Sequence, residues 1–203
     1  ELVVNTPEKF TALTGVSVYT EKEVTALNSG NKTITVNGEN VSYDKLVLAV
    51  GAEPVIPDVK GVNLDGVFTV REPADAVKIK NYSENAKKAV VAGGGFIGLE
   101  MAENLMEKGI SVTLIDMAPQ LMPDVFDSEM ADLIRRKLQE KGLRVVLGTT
   151  LNAVIGDGKV SAVQTTSGEI PADMVILSVG IRPATKFLAD SGLEMQKGCI
   201  ITD

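Results

Sequence analysis

The residues with the clearest chemical signature are glycines with the spacing G-x-G-x-x-G, which lie between two apolar segments. Gly93 permits a tight turn, Gly95 allows the backbone to approach a pyrophosphate, and Gly98 allows a helix to pack closely on the preceding strand. Asp116 follows about 20 residues after the turn, where a carboxylate can accept hydrogen bonds from adenosine ribose hydroxyls. The flanking segments and the acid all fit the order expected of a dinucleotide-binding fingerprint. We therefore predict a dinucleotide site instead of a glycine turn that serves packing alone.

Three predicted elements position these residues. Residues 88–92 form an apolar run suited to a buried parallel strand, and residues 109–116 form the next strand. The turn leads into a helix over residues 99–108, whose N-terminus offers free N–H groups and the positive end of its dipole to phosphates. The apolar residues at helical spacing, which predict its buried face, are Ile97, Met101 and Leu105.

The remaining pattern predicts a β-rich region before the turn and alternating strands and helices after it. An N-terminal helix is capped by Thr6, has Pro7 at its first position and stops at Gly15. The other predicted upstream elements are strands at 16–20, 23–27, 32–36, 41–43 and 45–50 and a helix at 73–82. The downstream ones are a helix from Asp127 or Ser128 to Gly142 and strands at 144–147, 151–155, 159–165 and 174–179. This alternation predicts an α/β fold with a doubly wound parallel sheet.

The overall composition narrows the classes of partner. The formal net charge is −7 and the isoelectric point is about 4.8, which argues against nucleic acid or an anionic membrane surface. The basic run at 135–137 lies among acids, so we interpret it as a solvated helix face. One cysteine and no histidine argue against a disulfide framework and a metal site. The sequence shows no bilayer-spanning apolar run and no signal-peptide pattern, so we expect a cytoplasmic protein.

Several segments together resemble the flavin-dependent pyridine nucleotide-disulfide oxidoreductases. They are residues 45–54, 88–103, 112–123 and 174–183. Within that family, residues 4–10 and 116–123 look most like the coenzyme A-disulfide reductase and NADH oxidase/peroxidase branch. The resemblance runs over nearly the whole chain.

The resemblance implies two cofactors, NADH or NADPH and, in the full-length protein, FAD. The residues it implies for the nicotinamide dinucleotide are Gly93, Gly94, Gly95, Phe96, Ile97, Gly98, Glu100, Asp116, Val179 and Gly180. Those it implies for part of a FAD site are Val24, Ala49, Val50 and Gly51. It places the redox-active cysteine upstream of Glu1, so no catalytic residue is expected in this chain.

The resemblance also implies a central portion of a longer enzyme. Residues 1–82 match a β-rich part of the FAD-binding domain with a linker. Residues 83–183 match a Rossmann-like NAD(P)H-binding domain with a parallel sheet and a β-meander, and residues 184–203 match the return into the FAD domain. The implied reaction passes hydride from NADH to FAD and on to a cysteine-based centre that reduces a disulfide (such as coenzyme A disulfide), a peroxide or oxygen. We expect the fragment to be inactive alone and the full-length enzyme to form a homodimer through a C-terminal domain. The alternative is a non-catalytic dinucleotide-binding or sensing module.

Individual side chains leave alternatives open. Phe96 is a gate over the flavin, as the resemblance implies, or a core residue. Glu100 reaches the nicotinamide or is a solvated first-turn acid, and Arg182 contacts cofactor or pairs with a carboxylate. Cys199 is expected to be a small, partly buried side chain and not a redox centre. Because residues 117–122 contain no Lys or Arg beside Asp116, we predict a preference for NADH over NADPH.

Overall fold

The computed structural model describes residues 5–202, which belong to two compact units. One unit comprises residues 1–53 and 182–203, and the other comprises residues 54–181. Val4, the first residue of the branch-like segment 4–10, lies outside the described residues. The second unit begins well before the predicted boundary at residue 83, because the strand Val67–Thr69 joins its central sheet.

The secondary structure agrees with most of the predicted elements. The helices are α1 (Pro7–Thr14), α2 (Pro73–Ser83), α3 (Phe96–Glu107) and α4 (Ser128–Glu140), with a short 3₁₀ helix at Lys186–Leu188. The first strands are β1 (Val24–Asn28), β2 (Thr33–Val36), β3 (Glu39–Ser42), β4 (Ala52–Pro54), β5 (Val67–Thr69), β6 (Lys88–Ala92) and β7 (Ser111–Ile115). The others are β8 (Arg144–Val146), β9 (Leu151–Asp157), β10 (Lys159–Thr165), β11 (Gly168–Pro171), β12 (Met174–Leu177), β13 (Ile181–Pro183), β14 (Met195–Gln196) and β15 (Cys199–Ile200).

A five-stranded parallel sheet forms the centre of the 54–181 unit. Its strand order is β5-β12-β6-β7-β8, and every neighbouring pair is parallel. Val90 in β6 lies between Val175 of β12 and Thr113 of β7. Both valines are fully buried, as expected for β-branched residues in strands covered on two faces. This sheet confirms the predicted α/β class.

The two faces of the sheet are covered by different kinds of element. Alternate residues point to opposite faces of a strand, so Val91 joins a cluster containing residues of α2, α3 and α4, whereas Val90 joins one containing residues of β9, β10 and β11. The antiparallel order β11-β10-β9 is a β-meander. The prediction of a doubly wound sheet, with helices on both faces, is therefore wrong, whereas the meander is confirmed.

The predicted buried face of α3 is confirmed for Leu105 and for Met101, which packs partly buried against the core, but not for Ile97. Gly98, Ala102 and Leu105 are buried, whereas Ile97 is 46% exposed. Gly98 explains why this face of α3 is turned toward β6. A Cβ at this position would collide with the carbonyl oxygen of Gly93, so only glycine allows the helix to pack this closely. Close helix–strand packing at the glycine thus overrides the apolar periodicity.

The unit formed by 1–53 and 182–203 contains the predicted hairpin. β1 and β2 pair antiparallel, and β3 extends them to a three-stranded sheet. The predicted strands at 16–20 and 45–50 are absent, and Val47 is 88% exposed. Within residues 5–202, no strand pairs with either segment, so their backbone groups have no ladder to join.

The helix caps follow the sequence signals. Thr6 accepts a hydrogen bond from the Lys9 amide at the start of α1, and Gly15 ends this helix with a φ of 74°. Asp127 caps α4 by accepting a hydrogen bond from the Met130 amide at 2.8 Å. None of the helices within residues 5–202 is both long and apolar enough to cross a bilayer.

Candidate dinucleotide-binding site

The glycine turn is built into the carboxyl end of β6. The Gly93 amide donates to the Ile115 carbonyl oxygen at 2.8 Å, and Gly93 has a φ of 110°. A Cβ on Gly93 would collide with the carbonyl oxygen of Ser178. Only glycine fits here, because both the backbone conformation and the close approach of the β12 end exclude a side chain.

Asp116 connects the glycine turn to the end of β7. Its Oδ2 atom accepts a hydrogen bond from the Gly94 amide at 2.5 Å, and its Oδ1 atom accepts one from the Ala118 amide at 2.7 Å. An ionised carboxylate has about four lone-pair sites, so each oxygen retains capacity for another donor. Asp116 can therefore hold the turn and still accept a hydrogen bond from a ribose hydroxyl.

The start of α3 offers an uncapped helix N-terminus. Gly95 is the N-cap residue, and no side chain caps this end. Within residues 5–202, the amides of Gly95, Phe96 and Ile97 have no backbone hydrogen-bond acceptor. A Cβ on Gly95 would have no atom within 4 Å, so this backbone borders open space. These features fit a pyrophosphate, which needs free N–H groups and a close approach to the backbone.

A cleft of about 480 Å³ lies at the carboxyl ends of β6, β7 and β12. Its lining residues are Pro57, Ala92, Gly93, Gly94, Gly95, Phe96, Ile115, Asp116, Met117, Ala118, Met122, Pro123, Asp124, Val125, Thr149, Thr150, Leu151, Ser178, Val179 and Gly180. Crevices at this edge of an open parallel sheet are the usual ligand sites of α/β proteins. The lining is mostly apolar with a few polar groups, which is typical of a cofactor site.

The structure brings together most of the residues predicted for the nicotinamide dinucleotide. Seven of them line the cleft, namely Gly93, Gly94, Gly95, Phe96, Asp116, Val179 and Gly180. Ile97, Gly98 and Glu100 do not line it, and the Glu100 side chain is exposed on α3. Phe96 is 66% exposed, which argues against a core role for its ring.

The residues predicted for FAD lie in the other unit. Val24 is half-buried at the start of β1, and Ala49 and Val50 lie in the segment before β4, which has no regular secondary structure. The carbonyl oxygen of Gly51 accepts a hydrogen bond from the Ala184 amide at 3.0 Å.

The structure defines the surroundings of Arg182 and Cys199, for which the sequence left more than one role open. Arg182 lies 3.6 Å from the carboxylate of Glu53, so it makes the structural ion pair that was one of its two interpretations. Cys199 is exposed in β15, and the expectation that it is partly buried is wrong, because the two-residue strands β14 and β15 are too short to cover it.

Several lining residues have no local sequence signal. The segment 122–125 follows β7, and residues 149–151 follow β8. The Thr149 amide donates to the Asp116 carbonyl oxygen at 2.8 Å, which fixes the end of β8 beside that of β7. Only the strand order brings these segments to the cleft, although the rule that ligands bind at carboxyl strand ends indicates where to look.

A second cavity, of about 540 Å³, lies in the unit formed by 1–53 and 182–203. Arg182, Lys186 and Lys197 are the charged residues that line it. It contains neither the glycine fingerprint nor an uncapped end of a long helix. The chemistry therefore assigns the dinucleotide to the cleft beside the glycine turn, although the two cavities are similar in volume.

Comparison with known proteins gives consistent matches over the whole chain. The family model of pyridine nucleotide-disulphide oxidoreductases matches residues 4–203. An NADH oxidase of Methanocaldococcus jannaschii is 37% identical over 207 residues, covering 98% of this chain and 46% of the relative. An NAD(P)H sulfur oxidoreductase (CoA-dependent) of Pyrococcus furiosus is 37% identical over 202 residues, covering 97% of this chain and 46% of the relative.

Solved structures show the same similarity in three dimensions. The water-forming NADH oxidase from Lactobacillus brevis, bound to NADH, superposes with a TM-score of 0.90 at 32% identity. The match covers 97% of this chain and 45% of that one. The chain thus spans about half the length of the relatives it matches.

Proposed function

The chain belongs to the pyridine nucleotide-disulphide oxidoreductase family, and from that premise we propose that its 54–181 unit binds NADH in the cleft beside the glycine turn. The observation that carries this proposal is the conjunction of an uncapped helix N-terminus, the open space at Gly95 and the carboxylate of Asp116 at one sheet edge. An anion-binding helix end next to a ribose-binding carboxylate suits the two halves of an adenosine diphosphate group.

Each group of the cleft then has a role in binding. The free amides of Gly95, Phe96 and Ile97 hold the pyrophosphate, and the helix dipole adds favourable electrostatics. Asp116 accepts a hydrogen bond from the adenosine ribose. Val179 and Gly180, which follow β12 on the other side of the turn, border the nicotinamide end.

In the longer protein, we propose that this unit serves an oxidoreductase that couples NADH oxidation to the reduction of a disulfide, a peroxide or oxygen. When bound, NADH supplies a hydride and FAD accepts it. The relative named NADH oxidase supports oxygen as an acceptor, and the relative named NAD(P)H sulfur oxidoreductase (CoA-dependent) supports a sulfur compound. For the longer protein we also propose, from the resemblance alone, that Val24, Ala49, Val50 and Gly51 take part in FAD binding and that the enzyme is a cytoplasmic homodimer.

The choice between NADH and NADPH tests the proposed role of Asp116. The chain is expected to bind NADH more tightly, because a 2′-phosphate would lie against the carboxylate. Asp116→Asn is expected to narrow this preference by about 1–3 kcal/mol. Because an amide has one acceptor oxygen, the variant also loses one of the two backbone hydrogen bonds and binds NADH more weakly.

Calorimetric titration of both nucleotides into the wild type and Asp116→Asn measures these effects. Glu169→Gln, an exposed change in β11 away from the cleft, removes the same charge and is the matched control. Equal or tighter binding of NADPH by the wild type would show that Asp116 does not select the nucleotide.

A further inference from the structure

The segment after Asp116 folds into a closed turn at the edge of the cleft. Leu121 is fully buried and anchors it to the core. The Met122 carbonyl oxygen accepts hydrogen bonds from the amides of Val125 and Phe126 at 3.0 and 3.1 Å. The side-chain amide of Gln120 donates to the Phe126 carbonyl oxygen at 2.9 Å. These contacts fix the backbone of the turn.

Asp124 belongs to this turn and lines the cleft together with Asp116. Both acids follow β7, whereas Val179 and Gly180 follow β12 on the far side of β6. A Cβ on Gly94 would lie 2.7 Å from the Leu121 side chain and 3.2 Å from the Asp116 carboxylate, so Leu121 and Asp116 are neighbours. The turn that contains Asp124 is therefore anchored at the β7 end of the cleft, to which the proposed function assigns the adenosine ribose.

No positive side chain balances this pair of acids. The cleft lining within the described part of the chain contains no Lys or Arg. Neither Asp116 nor Asp124 takes part in an ion pair between residues 5 and 202. Asp116 is engaged by two amides, whereas the exposed Asp124 side chain has no hydrogen-bond partner among the same residues. Asp124 thus adds an unpaired negative charge to the cleft wall.

We propose that Asp124 is a second specificity residue, which disfavours NADPH by repelling its 2′-phosphate; this inference rests on the proposed NADH site. A phosphate monoester carries a charge of about −1.5 to −2 at pH 7. Asp116 acts at short range, through a hydrogen bond from the 2′-hydroxyl, a donor that NADPH lacks because this oxygen carries its phosphate. Asp124 acts through solvent, so its effect depends strongly on ionic strength.

The test measures the ratio of the dissociation constants for NADPH and NADH with Asp124→Asn, Asp124→Lys, Glu169→Gln and the wild-type chain. At an ionic strength of about 0.01 M, Asp124→Asn is expected to lower this ratio about three- to fivefold. At about 0.5 M, the same substitution is expected to change it by less than about 1.5-fold. Asp124→Lys is expected to lower the ratio further at low salt, and Glu169→Gln to leave it unchanged.

The outcomes separate this inference from the proposed function. If the wild type prefers NADH and Asp124→Asn leaves the ratio unchanged at low salt, the role of Asp124 is overturned and the NADH site stands. A decrease that persists at high salt overturns the charge mechanism, because it points to a local change of the turn. A wild type that binds neither nucleotide overturns the site and the inference together. Both Asp124 variants alter an exposed side chain without a hydrogen bond, so the fold is expected to remain intact.

Discussion

Gly93 and Gly95 lie two residues apart in the same turn, yet their surroundings differ. Gly93 has a left-handed φ of 110°, and a side chain there would meet the β12 end. Gly95 has a φ of −80°, which any residue can adopt, and borders open space. The fold therefore requires glycine at position 93, whereas at position 95 only a ligand would require it.

Alanine substitutions at these positions separate folding from binding. Gly93→Ala is expected to lower the free energy of unfolding by more than about 2 kcal/mol, because strain and collision add. Gly95→Ala is expected to lower it by no more than about 1 kcal/mol, because alanine is a poorer N-cap residue than glycine. The same variant is expected to weaken NADH binding about tenfold or more, a loss of about 1.4 kcal/mol, because its methyl group occupies the space for the pyrophosphate. Urea denaturation and NADH titration measure the two effects, and wild-type affinity in Gly95→Ala would contradict the close approach.

Phe96 extends from the same turn into the cleft region with most of its ring exposed. In a form of the protein that carries the FAD site, Phe96→Ala is expected to change flavin reduction by NADH and the leakage of electrons to oxygen. The physical reason is that an aromatic ring at the nicotinamide end can exclude water and oxygen between turnovers. Stopped-flow reduction and oxidase assays measure this. A loss of several kcal/mol in stability with unchanged kinetics would instead identify a packing role.

At the level of elements, apolar runs predicted strands correctly where the structure pairs them with another strand of the described residues. The apolar runs of β6 and β12 predicted strands that pair with each other in the parallel sheet. The run at 45–50 is equally apolar but forms no strand. Apolar composition indicates that a segment favours burial, but it does not identify the partner that provides the hydrogen bonds.

The candidate site shows the same division between local and distant information. Gly93, Gly95 and Asp116 have a local signature, because their spacing reflects one strand–turn–helix–strand unit. Thr149 reaches the cleft only because β8 lies beside β7 in the sheet, and Asp124 reaches it because the segment after β7 closes into a turn at the cleft edge. Strand order depends on contacts between distant segments, so spacing along the sequence could not predict these residues.

The packing of α2 against β5 gives a prediction that depends on pH. The ring of Tyr82 makes an edge contact with Phe68 at 5.2 Å between centroids. Burial, together with the negative charges of Asp65 and Asp173, raises the pKa of the Tyr82 phenol above its ordinary value of 10.0. The folded state therefore holds this proton more tightly than the unfolded state. This contribution to stability is complete below pH 10.0 and is lost as the pH rises from there through the raised pKa.

Tyr82→Phe keeps the ring contact but has no proton to lose. We therefore expect its free energy of unfolding to decrease less than that of the wild type as the pH rises above about 10. Urea denaturation between about pH 8 and about pH 11 measures this difference. Tyr19→Phe, at an exposed position, is the matched control. Parallel pH profiles of Tyr82→Phe and the wild type would show that the phenol does not contribute.

For the whole molecule, the number of glycine fingerprints predicts how many NADH molecules the chain binds. The sequence contains one glycine fingerprint that follows a strand and opens a helix, at residues 93–98. Since a pyrophosphate needs such free amides and close backbone approach, we expect the 203-residue chain to bind one NADH and to be purified without colour. It is also expected to show no NADH-dependent disulfide reduction or oxidase activity, because flavin chemistry is required for both.

Titration gives the number of NADH sites, the visible spectrum reports flavin, and NADH consumption with a disulfide or oxygen reports turnover. Stoichiometric FAD in the purified chain would contradict this account, since the 1–53 and 182–203 unit would then hold flavin without a glycine fingerprint of its own.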